Sequence, residues 1–276
     1  MKVDAHQHYW RIERGDYGWI TPELPELYRD YLPSDLKPHL DAHQFDGSIA
    51  VQAAPTLEET DYLLSLADRD PSILGVVGWI DLFHPEHRRQ YERFSKHPKF
   101  IGFRIMIQDM PDSSVILEPG FIEALNIYIK EEVPIDLLVR SHQLEHLLKL
   151  IQQVPDMRGV VDHLGKPPIR SGEIEPWESF MKQIARFAGI YCKLSGMVTE
   201  AEHRRWNQED FTDYVHKAIA LFGSERVMFG SDWPVCLLSA EYNQVVHVLE
   251  AALPKTWGEQ ELARLFGLNA IEFYRL

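Results

Sequence analysis

Residues 47–82 read GSIAVQAAPTLEETDYLLSLADRDPSILGVVGWIDL. Two short apolar, β-branched runs, GSIAVQA (47–53) and ILGVVGWIDL (73–82), enclose a longer segment, TLEETDYLLSLADRD (56–70). Its apolar residues recur at helical period. Thr56 opens the segment and Glu59 follows three residues later, the pattern of a capping box. The flanking runs are nearly continuous in apolar residues instead of alternating, which suits strands buried on both faces.

The same unit recurs along the chain. Further strand-like runs are KVDAHQH (2–8), KFIGFRI (99–105), VPIDLLV (133–139), RGVVDHL (158–164), GIYCKLSG (189–196) and RVMFGSD (226–232). Between them lie helical stripes such as LLKLIQQV (147–154), FMKQIARFA (180–188) and YVHKAIALF (214–222). Strand and helix alternating eight times predicts an α/β fold, a single (β/α)8 TIM barrel forming one domain over 1–276. Two stretches exceed a minimal barrel: residues 10–35, rich in Trp, Tyr and Pro, and 163–176, HLGKPPIRSGEIEP. Both follow strands, so both belong to the face where barrels do chemistry.

Composition narrows the partners. The chain has 276 residues, 45% hydrophobic and 25% charged, with a formal net charge of −14. That charge disfavours phosphate backbones and anionic lipid, so neither nucleic acid nor membrane is an expected partner. The two cysteines, Cys192 and Cys236, build no disulfide framework or paired-thiol metal site and read as inert. No basic-then-apolar leader precedes MKVDAHQH, and the expected location is the cytoplasm. A small-molecule substrate is the expected partner, and self-association stays open.

Ionisable residues end the apolar strands. They are His6 and His8 on the first, Arg104 on the fourth, Arg140 with His142 on the fifth, and Asp162 and His163 on the sixth. Lys193 and Ser195 end the seventh, and Ser231, Asp232 and Trp233 the eighth. Isolated buried charge is expensive, so a cluster at one end needs a reason. Residues i and i+2 of a strand share a face, so His6 and His8 converge above the barrel mouth. With Asp232 across the barrel they could hold a divalent metal, or polarise a carbonyl and activate a water. An HxH alone also fits two hydrogen-bonded, half-buried histidines.

VDAHQHYW, VVDHLGKPP, RVMFGSDWPV and the terminal LFGLNAIEFYRL resemble the amidohydrolase superfamily, specifically its branch of sugar-lactone and dicarboxylate-lactone hydrolases. The resemblance covers essentially the whole chain. It implies that His6, His8 and His163 take the first- and sixth-strand histidine roles. It implies that Asp232 deprotonates the attacking water. Arg104 and Arg140 stand where metal-dependent members carry further ligands. The implied cofactor is therefore either none or a single weakly bound zinc on His6, His8 and Asp232.

Four cations, Arg104, Arg140, Lys166 and Lys193, are candidates for binding substrate oxygens or an oxyanion. Trp10 and Trp233 flank site residues and offer flat faces to a sugar ring, although both also suit a core. Lys193 equally fits an ion-paired rim residue, and His142 a helix start. The expected activity is opening of a sugar-acid lactone of the fucono- or rhamnono-lactone type. A carboxylated lactone from aromatic degradation, a metal-dependent decarboxylation or a ligand-binding barrel without activity are the alternatives.

Overall fold

A computed structural model describes residues 1–276. Eight parallel strands form one sheet in sequence order: β1 Val3–Gln7, β2 Gly47–Val51, β3 Ile73–Gly78, β4 Phe100–Met106, β5 Ile135–Leu138, β6 Gly159–Val161, β7 Ile190–Leu194 and β8 Val227–Phe229. All eight lie inside the runs read from the sequence or within a residue of them. The sheet closes between β8 and β1 through a Gln7/Trp233 bridge just past the end of β8. There the Asp232 N–H donates to the His6 carbonyl at 2.8 Å and the His8 N–H to the Trp233 carbonyl at 2.7 Å.

A helix follows every strand. These are α1 Pro33–Ala42, α2 Leu57–Ala67, α3 His87–Phe94, α4 Pro119–Lys130, α5 Leu144–Gln153 and α6 Trp177–Ile184. A single turn, α7 Met197–Glu200, precedes α8 Glu209–Phe222. Then come α9 Tyr242–Ala252, α10 Glu259–Ala263 and the terminal α11 Asn269–Tyr274. None is long and apolar enough to cross a membrane. The helices press their apolar stripes on the outside of the barrel. A smaller cluster, including Ala5, Ile49, Val77, Val160 and Met228, joins the strands to Phe273 and Tyr274 of α11.

The Thr56 cap forms as expected: its side chain accepts from the Glu59 N–H at 3.1 Å. The return half of the box does not form. The Glu59 carboxylate turns instead to the Ala53 and Ala54 N–H groups at 2.7–3.0 Å, bracing the loop after β2. Burial pushes this carboxyl up to about 8 despite those bonds.

The 10–35 stretch folds into a compact cover on the catalytic face. Trp10 packs edge-on against Trp19 and Tyr31 at 5.7 and 5.4 Å, and the Trp19 indole N–H donates to the Ala53 carbonyl at 2.9 Å.

Candidate active site

Closing the barrel brings His6, His8, His163 and Asp232 to one point. Asp232 Oδ1 lies 3.3 Å from His8 Nε2, 3.8 Å from His6 Nε2 and 3.8 Å from His163 Nε2. The two first-strand imidazoles face each other with their Nε2 atoms 3.3 Å apart. His8, His163 and Asp232 each keep 3–4% exposure, whereas His6 is sealed. The site is thus presented to the mouth by three residues, with His6 one step below.

The backbone that aims these groups is unusual. His163, Leu164, Gly165 and Lys166 run consecutively at φ 54, 55, 70 and 50, and Asp232 stands at φ 56. Non-glycine residues rarely adopt this left-handed region, and such outliers gather at functional sites. Two glycines make room. A Cβ on Gly196, itself at φ 61, would meet His163 Nδ1 at 2.5 Å. A Cβ on Gly230 would meet the His6 Cβ at 2.5 Å.

Each imidazole is held through its second nitrogen. The His8 Nδ1–H donates to the Val51 carbonyl at 2.7 Å, so in the neutral ring Nε2 is the acceptor. His163 Nδ1 pairs with the Ser195 hydroxyl at 2.8 Å. His6 Nδ1 meets Lys193 Nζ at 3.2 Å and Asp162 Oδ1 at 3.3 Å. Burial drives His6 and His163 well below the usual imidazole range, against the pull of Asp162 and Asp232 respectively, so both rings are neutral. Burial raises the Asp232 carboxyl, but His163, His8 and Lys166 outweigh it and hold the group below its ordinary value. Asp232 therefore faces the mouth as a carboxylate.

Beneath lies a sealed charge network. Lys193 Nζ contacts Asp136 Oδ2 and stands 3.2 Å from Asp162 Oδ1. The Tyr274 hydroxyl donates to Asp136 Oδ1 at 2.6 Å. The Arg104 guanidinium holds the Gln52 side-chain oxygen at 2.6–2.8 Å and the Gln52 carbonyl, with Asp162 Oδ2 at 3.4 Å. Burial raises Asp162, yet Lys193, His6 and Arg104 together keep it well below the carboxylate range.

This placement redistributes the expected substrate contacts. Lys193 is fully buried and cannot touch a ligand in the mouth. Arg104 is 3% exposed and already paired. Lys166 lies 3.5 Å from Glu200. Only Arg140 is exposed and free of an ion pair within 4.0 Å. His142 is exposed in the turn that begins α5. Trp10 and Trp233 are 0% and 2% exposed, packed among Tyr9, Tyr17 and Tyr31. Their faces belong to the core, and the outward rings of the cover are Trp19 at 41% and Tyr28 at 44%.

Reading strand ends alone passed over Asp4, Gln52 and Asp136. Asp4 Oδ1 accepts from the Ser231 and His6 N–H groups at 2.9 and 3.2 Å, clamping the eighth-strand end to the first. The available signal was a charged residue in mid-strand, as in VDAHQ and IDLL.

The donor set fits one divalent ion. Tetrahedral zinc with bonds near 2.1 Å needs ligand atoms about 3.4 Å apart. The His6–His8 and His8–Asp232 separations are 3.3 Å and the His6–Asp232 separation 3.8 Å. A second group, His6, Asp162 and His163, also converges, but Lys193 Nζ already lies against its His6 and Asp162 atoms. The interior thus has room for one ion and a cation where a second would sit.

The profile of the amidohydrolase family matches residues 3–276. An L-fucono-1,5-lactonase of Burkholderia ambifaria is 36% identical, spanning 100% of this chain and 96% of its own length. A second L-fucono-1,5-lactonase, from Burkholderia multivorans, is 34% identical over the same shares. An amidohydrolase of Burkholderia multivorans solved with bound zinc superposes with a TM-score of 0.92 at 34% identity, covering 100% of this chain and 99% of that one.

Proposed function

The chain belongs to the amidohydrolase family, and from that premise we propose that it is a lactonase opening sugar-acid lactones of the fucono- or rhamnono-lactone type. The observation that carries this reading is one carboxylate, Asp232, faced by the Nε2 atoms of three neutral or acceptor imidazoles. That is a base with polar groups around it at the foot of a barrel mouth, the arrangement that acyl hydrolysis requires.

Asp232 takes a proton from water, which attacks the lactone carbonyl carbon. The tetrahedral oxyanion collapses, the ring C–O bond breaks, and the proton passes to the leaving hydroxyl. His8 and His163 border the same space and orient the water and the carbonyl oxygen. His6, His8 and Asp232 would hold a divalent ion, which would supply Lewis-acid polarisation. The donor spacing supports a single ion, since Arg104 and Lys193 fill the remaining interior, and our reading takes that ion as weakly held and not essential.

The paired cations favour a hydroxylated substrate. Beside the site, the loops after β6 and β7 line an open polar cavity of about 690 Å3 that includes Arg170, Ser171, Thr199, Glu200 and Glu202, and none of His6, His8, His163 or Asp232. Lys166–Glu200 and Arg170–Glu202 pairs cross between these loops at 3.5 and 2.6 Å. With three of the four expected cations already paired, a polyhydroxylated lactone matches this surface better than a carboxylated one. Its two free, buried cysteines agree with action in the reducing cytoplasm.

A pH-indicator screen of sugar-acid and dicarboxylate lactones, with and without chelator, tests the reading through acid release. Turnover of dicarboxylate lactones alone would reassign the substrate class. No ring opening at all, with carbon dioxide release from an aromatic acid, would reassign the reaction.

A further inference from the structure

Lys193 lies fully buried on β7, directly beneath His6. Its Nζ is anchored from below by Asp136, which the Tyr274 hydroxyl of α11 braces at 2.6 Å. From this anchor Nζ reaches His6 Nδ1 at 3.2 Å and Asp162 Oδ1 at 3.2 Å. The same His6 Nδ1 lies 3.3 Å from Asp162 Oδ1. One ring nitrogen therefore accepts a hydrogen bond from Lys193, which only donates, and stands at nearly the same distance from Asp162 Oδ1, which only accepts and has no hydrogen-bond partner here.

A neutral imidazole carries one N–H, on one nitrogen or the other. With the proton on Nδ1, His6 donates to Asp162 and turns a bare Nε2 toward the mouth. With the proton on Nε2, His6 Nδ1 accepts from Lys193 and the Nε2–H points at His8 Nε2, 3.3 Å away. His8 Nε2 is bare, because its Nδ1–H is committed to the Val51 carbonyl. Without an ion, the first arrangement sets two lone pairs against each other and the second joins them by a hydrogen bond. With an ion, the second arrangement blocks a ligand and the first supplies one.

We infer that Lys193 is a positioning residue which, paired with Asp162, lets His6 present either a lone pair to a divalent ion or, without the ion, an N–H to His8 Nε2. The change moves one proton between two ring nitrogens and alters no net charge. In the ion-free enzyme the His6 Nε2–H ties His6 to His8 beside Asp232. In the ion-bound enzyme the Nδ1–H to Asp162 is the outer contact that fixes the ligand ring. The inference rests on the ion placement proposed above, and it is independent of which lactone is opened.

The test reads the proton directly, by long-range 1H–15N spectra of the full chain labelled at histidine, after chelator treatment and after one equivalent of zinc. His6 is assigned by loss of its signals in His6→Gln. The expected result is His6 protonated on Nε2 without zinc and on Nδ1 with it. In Lys193→Met, which removes the donor, His6 is expected to keep its proton on Nδ1 in both states. The same His6 tautomer in wild-type protein with and without zinc overturns the inference. So does a tautomer change that persists in Lys193→Met. Because that variant leaves two buried carboxylates short of a partner, the wild-type comparison decides the matter even if it fails to fold. Zinc that leaves the His6 and His8 signals unmoved also overturns it, while the lactone screen decides the lactonase reading separately.

Discussion

The Asp232 N–H donates to the His6 carbonyl at 2.8 Å, so one backbone bond both helps close the barrel and fixes the base against the first imidazole. The distance between these two side chains is set by the fold and not by a flexible loop. Precision of this kind is what a site on a rigid scaffold gains.

Replacing Asp232 with Asn tests the base. Asparagine tolerates a left-handed backbone well and is close to isosteric, so the fold is expected to survive. Hydrolysis is expected to fall by about a hundredfold or more, the usual contribution of a general base. Steady-state kinetics beside a circular dichroism melt check both halves. Near-normal turnover would move the role of base elsewhere.

Arg104→Met and Arg140→Met are expected to part company. Arg104 neutralises part of Asp162 and holds Gln52 in a buried site, and losing one partner of such a pair costs about 3 kcal/mol of stability. Its variant should melt lower while the folded fraction still turns over. Arg140 is exposed and unpaired, so its variant should melt normally and raise KM with kcat unchanged. A large kcat loss in Arg104→Met at full foldedness would place that guanidinium on the oxyanion.

Metal content is expected to stop at one ion per chain. Elemental analysis after zinc loading should read one equivalent or less, and His8→Ala should remove it. Chelation should lower hydrolysis only modestly. Two equivalents would mean that Lys193 yields its place; complete loss of activity restored by zinc would make the ion obligatory.

Stability should carry a pH signature from Glu59. Its carboxyl is pushed up to about 8 by burial, against an ordinary 4.5. Between those values the folded protein holds a proton that the unfolded chain has released. Stability is therefore lost as pH rises from 4.5 to 8, by up to about 1.4 kcal/mol for each unit in that window, and is level outside it. Asp4, raised to about 6, acts in the same direction at lower pH. In Glu59→Gln the Glu59 component disappears. Urea unfolding of both proteins at pH 5 and pH 8 isolates it, because other groups cancel between them. Equal differences at the two pH values would show that Glu59 ionises normally.

Much of the barrel was legible because parallel strands buried on both faces leave unbroken apolar runs, and because His6, His8, His163 and Asp232 sit at their ends. What lay beneath was not. Lys193, Asp136 and Tyr274 are far apart in sequence and meet only when the sheet closes and α11 folds under it. Lys193 therefore read equally as a substrate contact and as an ion-paired rim residue, and its partners are carboxylates inside the barrel. Glu59 read as a helix cap because its spacing from Thr56 is right; the loop after β2 offered its carboxylate unsatisfied amides instead. Trp10 and Trp233 were judged by their neighbours in sequence, and packing of the 10–35 cover turned their faces inward.

The left-handed backbone at His163 and Asp232 has an evolutionary consequence. Each position holds a residue that its own conformation disfavours, by an amount of order 1 kcal/mol or more. Glycine at His163, or asparagine at either, sits there more comfortably. A lineage selected only to stay folded would drift toward those residues and would gain stability as it lost turnover. A histidine and an aspartate kept at these two points across relatives would be a footprint of selection for chemistry, and a barrel that has exchanged them would have been released from that selection.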